Sequence, residues 1–102
     1  MKDADRTRTF GILSELFVER VRQVDEKGHP IEEDDSFTDG GIADAAAAYA
    51  STDTFYVGES VPELWPWPDD LFNRKDRRTN LVRAGALIVA EIERLDRASE
   101  KA

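Results

Sequence analysis

Between Thr9 and Lys27, apolar side chains recur at Phe10, Leu13, Phe17, Val21 and Val24, with Ile12 and Leu16 widening the stripe. Steps of three and four are the period of an amphipathic helix and not the alternation of a strand. Thr9 reads as the N-cap, and Gly28-His29-Pro30 reads as the stop, so the pattern predicts a helix over about 9–27. A second helix is predicted over 41–50, where Ile42 and Tyr49 are the only large apolar groups in a run of alanines. A helix of ten residues is marginal alone and must be held by packing. Asp39, just before Gly40-Gly41, is placed to accept a hydrogen bond from the exposed amides of that helix start.

The third helix, about 76–99, has the strongest periodicity. Leu81, Gly85, Ile88, Ile92 and Leu95 step by four, three, four and three, flanked by Val82, Ala84 and Val89. A glycine inside a helix costs about 1 kcal/mol relative to alanine. Close approach by another backbone is the best mechanical reason for it. The expected neighbour is the alanine helix, with Ala84-Gly85-Ala86 against Ala43–Ala47. The larger side chains of the first and third helices are then expected to supply the rest of the core.

Two stretches lack periodicity. Residues 28–39 read as an acidic loop containing Glu32, Glu33, Asp34 and Asp35. Residues 51–74 hold Gly58, Pro62, Pro66 and Pro68 among Phe55, Tyr56, Trp65, Trp67, Leu71 and Phe72. Proline at this density forbids a long helix or a central strand. A short strand at 54–57 would have no partner, and one turn of helix fits at Asp69–Phe72. So many large apolar groups are expected to lie across the helices. The expected fold is all-α: a single domain over 1–102, with three main helices and a long Pro/Trp-containing segment wrapped across them.

Composition narrows the function. The chain has 102 residues, 22 acidic against 14 basic, for a formal charge of -8. That length supports one core, which excludes a multidomain enzyme, a Rossmann-plus-substrate pair and a TIM barrel. The acidic balance argues against direct nucleic-acid binding, which needs positive surface for the phosphates. Without cysteine there is no disulfide, thiolate nucleophile or zinc–thiolate site. No apolar run reaches signal-peptide or membrane-span length, so a cytoplasmic protein with no membrane partner is expected.

Three passages carry a resemblance: Trp65-Pro66-Trp67, Lys75-Asp76-Arg77-Arg78, and Ala84-Gly85-Ala86-Leu87-Ile88-Val89-Ala90-Glu91-Ile92-Glu93-Arg94-Leu95-Asp96-Arg97. With Glu19-Arg20-Val21-Arg22-Gln23, Asp34-Asp35 and the stretch 43–50, they resemble a group of short, uncharacterised bacteriophage and prophage proteins. The likeness covers roughly residues 19 to 97. The chain departs from that pattern at His29, where tryptophan is common, and at Leu71-Phe72, where paired tryptophans are common. The resemblance implies a viral or prophage origin and carries over no activity and no catalytic residue.

The residues argue for binding over catalysis. His29 is the only histidine and fits a helix end, so no Ser/His/Asp or Cys/His system can be assembled. Glu32–Asp35 are adjacent, not alternating as a calcium loop requires. A magnesium-dependent nucleotide pyrophosphohydrolase would need carboxylates from two helices, and Glu15, Glu19, Glu93 and Asp96 are better explained as solvated. Arg74, Lys75, Arg77 and Arg78 fall at a helix start, where cations are disfavoured and something negative should compensate.

Two binding readings follow. In the first, a non-enzymatic phage or prophage accessory protein binds a host protein or complex in the manner of an anti-defence inhibitor. Glu32, Glu33, Asp34 and Asp35 form its acidic surface. In the alternative, Trp65, Trp67, Arg74, Arg77 and Arg78 hold a nucleotide-like anion, with the indoles stacking a base. Neither reading calls for a cofactor or a metal. Self-association through leftover apolar surface stays open.

Overall fold

In a computed structural model of the full chain, residues 1–26, 31–54, 58 and 60–101 are described. Within them the fold is all-α, with helices α1 (Asp3–Asp25), α2 (Ile31–Asp34), α3 (Gly41–Ala50) and α4 (Arg77–Lys101), and no strand. Among the described residues a 3-10 turn, Asp69–Leu71, interrupts the irregular segment before α4. The expected stop at Gly28-His29-Pro30 and most of the short strand expected at 54–57 lie outside the described residues.

Helix α1 begins six residues before the expected start, so Thr9 is helix interior and not a cap. Acidic Asp3 and Asp5 in its first turn oppose the positive helix end. The acidic stretch is also not plain loop, since Ile31–Asp34 closes one helical turn.

Helix α3 starts at a double glycine. Gly40 has φ +87°, a conformation that L side chains rarely adopt, and the Asp39 carboxylate accepts a hydrogen bond from Gly41 N–H at 3.0 Å. The start of α4 is held similarly. Asp76 accepts from the Thr79 amide at 3.2 Å and from its hydroxyl at 2.6 Å.

The buried core is small and built on α3 against α4. Ile42, Ala45, Ala46, Ala48 and Tyr49 of α3 are buried, as are Ala84, Ala86 and Ala90 of α4. Two polar residues sit among them. Asn80 and Thr52 are both fully buried and hydrogen-bonded to each other at 2.9 Å. Small side chains let the two helices approach closely, as expected for an alanine helix.

The reason given for Gly85 needs correction. A Cβ built there would meet Leu16 Cδ2 at 2.7 Å and Cδ1 at 3.1 Å. The notch therefore receives a leucine from α1 and not the alanine helix. The rest of the expected core is corrected too. Phe10, Leu13, Phe17 and Val21 of α1 and Leu81, Ile88, Ile92 and Leu95 of α4 are all exposed. Helix α4 turns its alanine face toward α3 and leaves its aliphatic seam, apart from Gly85, in water.

Candidate functional site

Arg20 of α1 joins three helices. Its Nη2 donates to Asp34 of α2 at 3.0 Å and its Nε to Glu93 of α4 at 2.7 Å. Two residues on, Arg22 forms a two-pronged pair with Glu19 at 2.7 and 2.8 Å, and Gln23 adds a third donor to the same carboxylate. Burial works to raise the Glu19 pKa. The Arg22 pair, the charge of Arg83 and the Gln23 bond outweigh it and hold the carboxyl below its ordinary value. The same pairing raises the Arg22 pKa.

Opposite this charged wall stands an aromatic one. Tyr49 of α3 stacks on Phe72, with centroids 4.6 Å apart, and meets the Trp65 edge at 5.5 Å. Trp65 meets Trp67 edge-on at 5.2 Å, and Trp67 packs on Phe37 at 5.2 Å. The Trp65 indole N–H donates to the Pro68 carbonyl at 3.0 Å, which fixes the ring. The Tyr49 hydroxyl accepts from Asn73 N–H at 3.0 Å.

Between the walls lies a cleft of about 340 Å³. That is the lower end of the range for small-molecule pockets. Trp65, Trp67, Phe37 and Tyr49 line one side, and Glu19, Arg20, Arg22 and Gln23 the other. Arg83 of α4 also lines it. Its guanidinium lies 5.9 Å from the Tyr49 ring centre and donates to the Asn73 carbonyl, while its Nε is buried without a hydrogen-bond partner.

The two tryptophans singled out from sequence thus line one cleft, but the basic cluster does not join them. Arg74 pairs with Asp53 at 3.6 Å. Arg77 Nη1 donates to the Ala50 and Thr52 carbonyls, closing the end of α3. Arg78 pairs with Glu15 at 2.6 Å, which raises its pKa. For these three arginines the compensation is internal.

Two of the four acidic residues, Asp34 and Asp35, are also drawn inward. Asp34 is bound by Arg20, and Asp35 by Arg97 at 2.9 Å and Lys101 at 3.4 Å. The Arg97 bond, aided by Lys101 and opposed by slight desolvation, lowers the Asp35 pKa. Glu32 and Glu33 are exposed. Among the described residues no group of three or more histidine or carboxylate side chains converges to hold a metal ion. Glu15, Glu19 and Glu93 each face an arginine instead. None of the described helices is long and apolar enough to cross a membrane.

Sequence reasoning missed Arg20, Arg22 and Arg83 as site residues. The signal was present for two of them: Arg20 interrupts the stripe between Phe17 and Val21, and Arg83 sits beside Ala84 on the face that turns inward. A long cation inside an apolar face needs a partner or a role. No family model, curated protein or solved structure matches this chain.

Proposed function

We propose that the protein is a non-enzymatic binding protein that takes a small planar ligand carrying an aromatic ring, of nucleobase type, into the cleft between Trp65 and Arg83. The observation that carries this reading is the cleft itself: two indoles and Tyr49 facing a guanidinium whose Nε has no hydrogen-bond partner. Indole faces stack on any flat π system at about 1–3 kcal/mol per base. Arg83 supplies donors for an acceptor on the ring or its substituent.

The charges of the cleft point to a ligand of low charge. Arg20 and Arg22 are directly paired with Asp34, Glu93 and Glu19, whereas Arg83 bonds the Asn73 carbonyl, lies over the Tyr49 ring and shares the field of Glu19. One negative charge is matched there, and a polyphosphate is not. In the setting that the resemblance implies, a host cytoplasm carrying a phage or prophage, this is an accessory role without chemistry of its own.

Trp65 and Trp67 are the only tryptophans, so fluorescence excited selectively in tryptophan reports on the cleft. Titration with adenosine and guanosine, their 5′-monophosphates and inorganic phosphate tests the reading. Saturable quenching by a nucleoside or monophosphate, abolished in Arg83→Gln, is expected, with no response to phosphate. Absence of saturable quenching by any nucleoside or monophosphate refutes it.

Protein association is a second reading. The feature that favours it is the open apolar face of α1 and α4, since Asp34 and Asp35 of the acidic surface are held in ion pairs.

A further inference from the structure

We propose that the open face of α1 and α4 is covered by a second copy of this chain, in a homodimer seamed by Phe10, Leu13 and Phe17 of α1 and Ile88, Ile92 and Leu95 of α4. The inference rests on surface area and helix packing and is independent of the cleft.

The isolated chain is too open for its size. A folded monomer of 11.5 kDa exposes about 5,800 Å². This one exposes 6909 Å². Its radius of gyration is 14.6 Å, against about 12.8 Å for a compact domain of this length. The excess, about 1,100 Å², exceeds the roughly 800 Å² that each partner contributes to a stable interface.

The excess has a location. Every residue from Asp3 to Glu15 is exposed, so the first half of α1 is a helical arm about 20 Å long with almost no packing against its own chain. A helix of that length is marginal in water without a partner surface. Yet Phe10 is 73% exposed, Leu13 57% and Phe17 69%.

Two features make the same chain the fitting partner. The pairs Glu15–Arg78 and Arg20–Glu93, with Leu16 in the Gly85 notch between them, show α1 and α4 running in the same sense. A helical wheel then turns the Phe10–Phe17 stripe and the Ile88–Leu95 seam to one side of the pair, away from α3. That face is a single two-helix patch with three–four spacing, able to interleave with its own copy about a two-fold axis. Charge agrees. Helices α1 and α4 together carry nine carboxylates and ten cations, so the acidic excess of the chain lies elsewhere and two copies meet without repulsion.

Sedimentation equilibrium of the full chain up to about 100 µM tests this. The expected mass is twice 11.5 kDa. Phe17→Glu and Ile92→Glu should each raise the dissociation constant at least about tenfold with helical circular dichroism intact. Phe10→Ser, on the arm, gives the same reading if either variant fails to fold. A mass of one chain at the top concentration overturns the proposal. So does a dimer that all folded variants preserve, or a monomer that binds only a different protein through this face.

Discussion

Replacing Asn80 by aspartate changes one heavy atom of a fully buried hub and almost nothing of its shape. Asn80 Nδ2 donates to Thr52 Oγ1 and to the Lys75 carbonyl, both at 2.9 Å. Its Oδ1 accepts from Lys75 N–H at 2.9 Å, and Thr52 in turn donates to the Tyr49 carbonyl at 2.8 Å. Asn80→Asp keeps the accepted bond and turns both donated bonds into facing acceptors. A buried acceptor left unmade costs about 1–3 kcal/mol, so two cost about 3 kcal/mol before the charge is counted. The new carboxyl avoids burial of charge by staying protonated, which restores one donor and about half of the loss. Its folded pKa therefore lies above the unfolded value of about 3.9. The penalty relative to the parent chain is smallest below that value, about 1.5 kcal/mol. It grows as pH rises, until the folded carboxyl also ionises. Urea denaturation of both proteins at about pH 3 and pH 7 measures it, because the acid response of the shared carboxylates cancels in the difference. An equal penalty at both pH values, or one below about 1 kcal/mol at pH 7, would refute the account of Asn80 as the buried link between the end of α3 and the start of α4.

Three further outcomes follow from the same contacts. Gly85→Ala should be close to neutral, because the helix-propensity gain of about 1 kcal/mol is offset by displacing Leu16. In a Leu16→Ala background it should stabilise by about 1 kcal/mol, and thermal denaturation of the four-member cycle reads the coupling. Arg77→Ala should cost about 1.5–3 kcal/mol by exposing the Ala50 and Thr52 carbonyls, with nucleoside quenching of the tryptophans unchanged. The lowered pKa values of Glu19, Asp35 and Asp76 stabilise the fold fully above the ordinary carboxylate range and are lost as pH falls through the lowered values. The melting temperature should therefore drop as pH falls below the ordinary carboxylate range, and a flat profile there contradicts those pairings.

The three long helices were legible in the chain, but the short α2 and the orientations of all of them were not. Helix α3 was expected over 41–50 and runs Gly41–Ala50, because Asp39, two glycines and the alanine run each carry a local reason. Helix α4 was legible from its period, yet a period states only that a seam exists. Which neighbour covers it depends on competing faces, and here the alanine face wins the intramolecular contact since it permits closer approach. Gly85 correctly marked a close approach, while its partner was a leucine side chain that no pattern on α4 specifies. The six extra residues of α1, five of them polar and the sixth Ala4, leave no periodic trace. At the site, Trp65 and Trp67 stood out by type. Arg20 and Arg83 did not, because Arg20 meets Asp34 and Glu93, 14 and 73 residues away, and Arg83 lies over Tyr49 of α3, while Arg22, paired with Glu19 three residues back, reads as an ordinary helix-surface pair.

Amide hydrogen exchange along the α1 arm, residues 5–14, measured across a dilution series, addresses the open face most directly. Protection that is strong at high concentration and fades on dilution is what a shared seam produces. Amides that exchange freely at every concentration, or stay equally protected at every one, would contradict it.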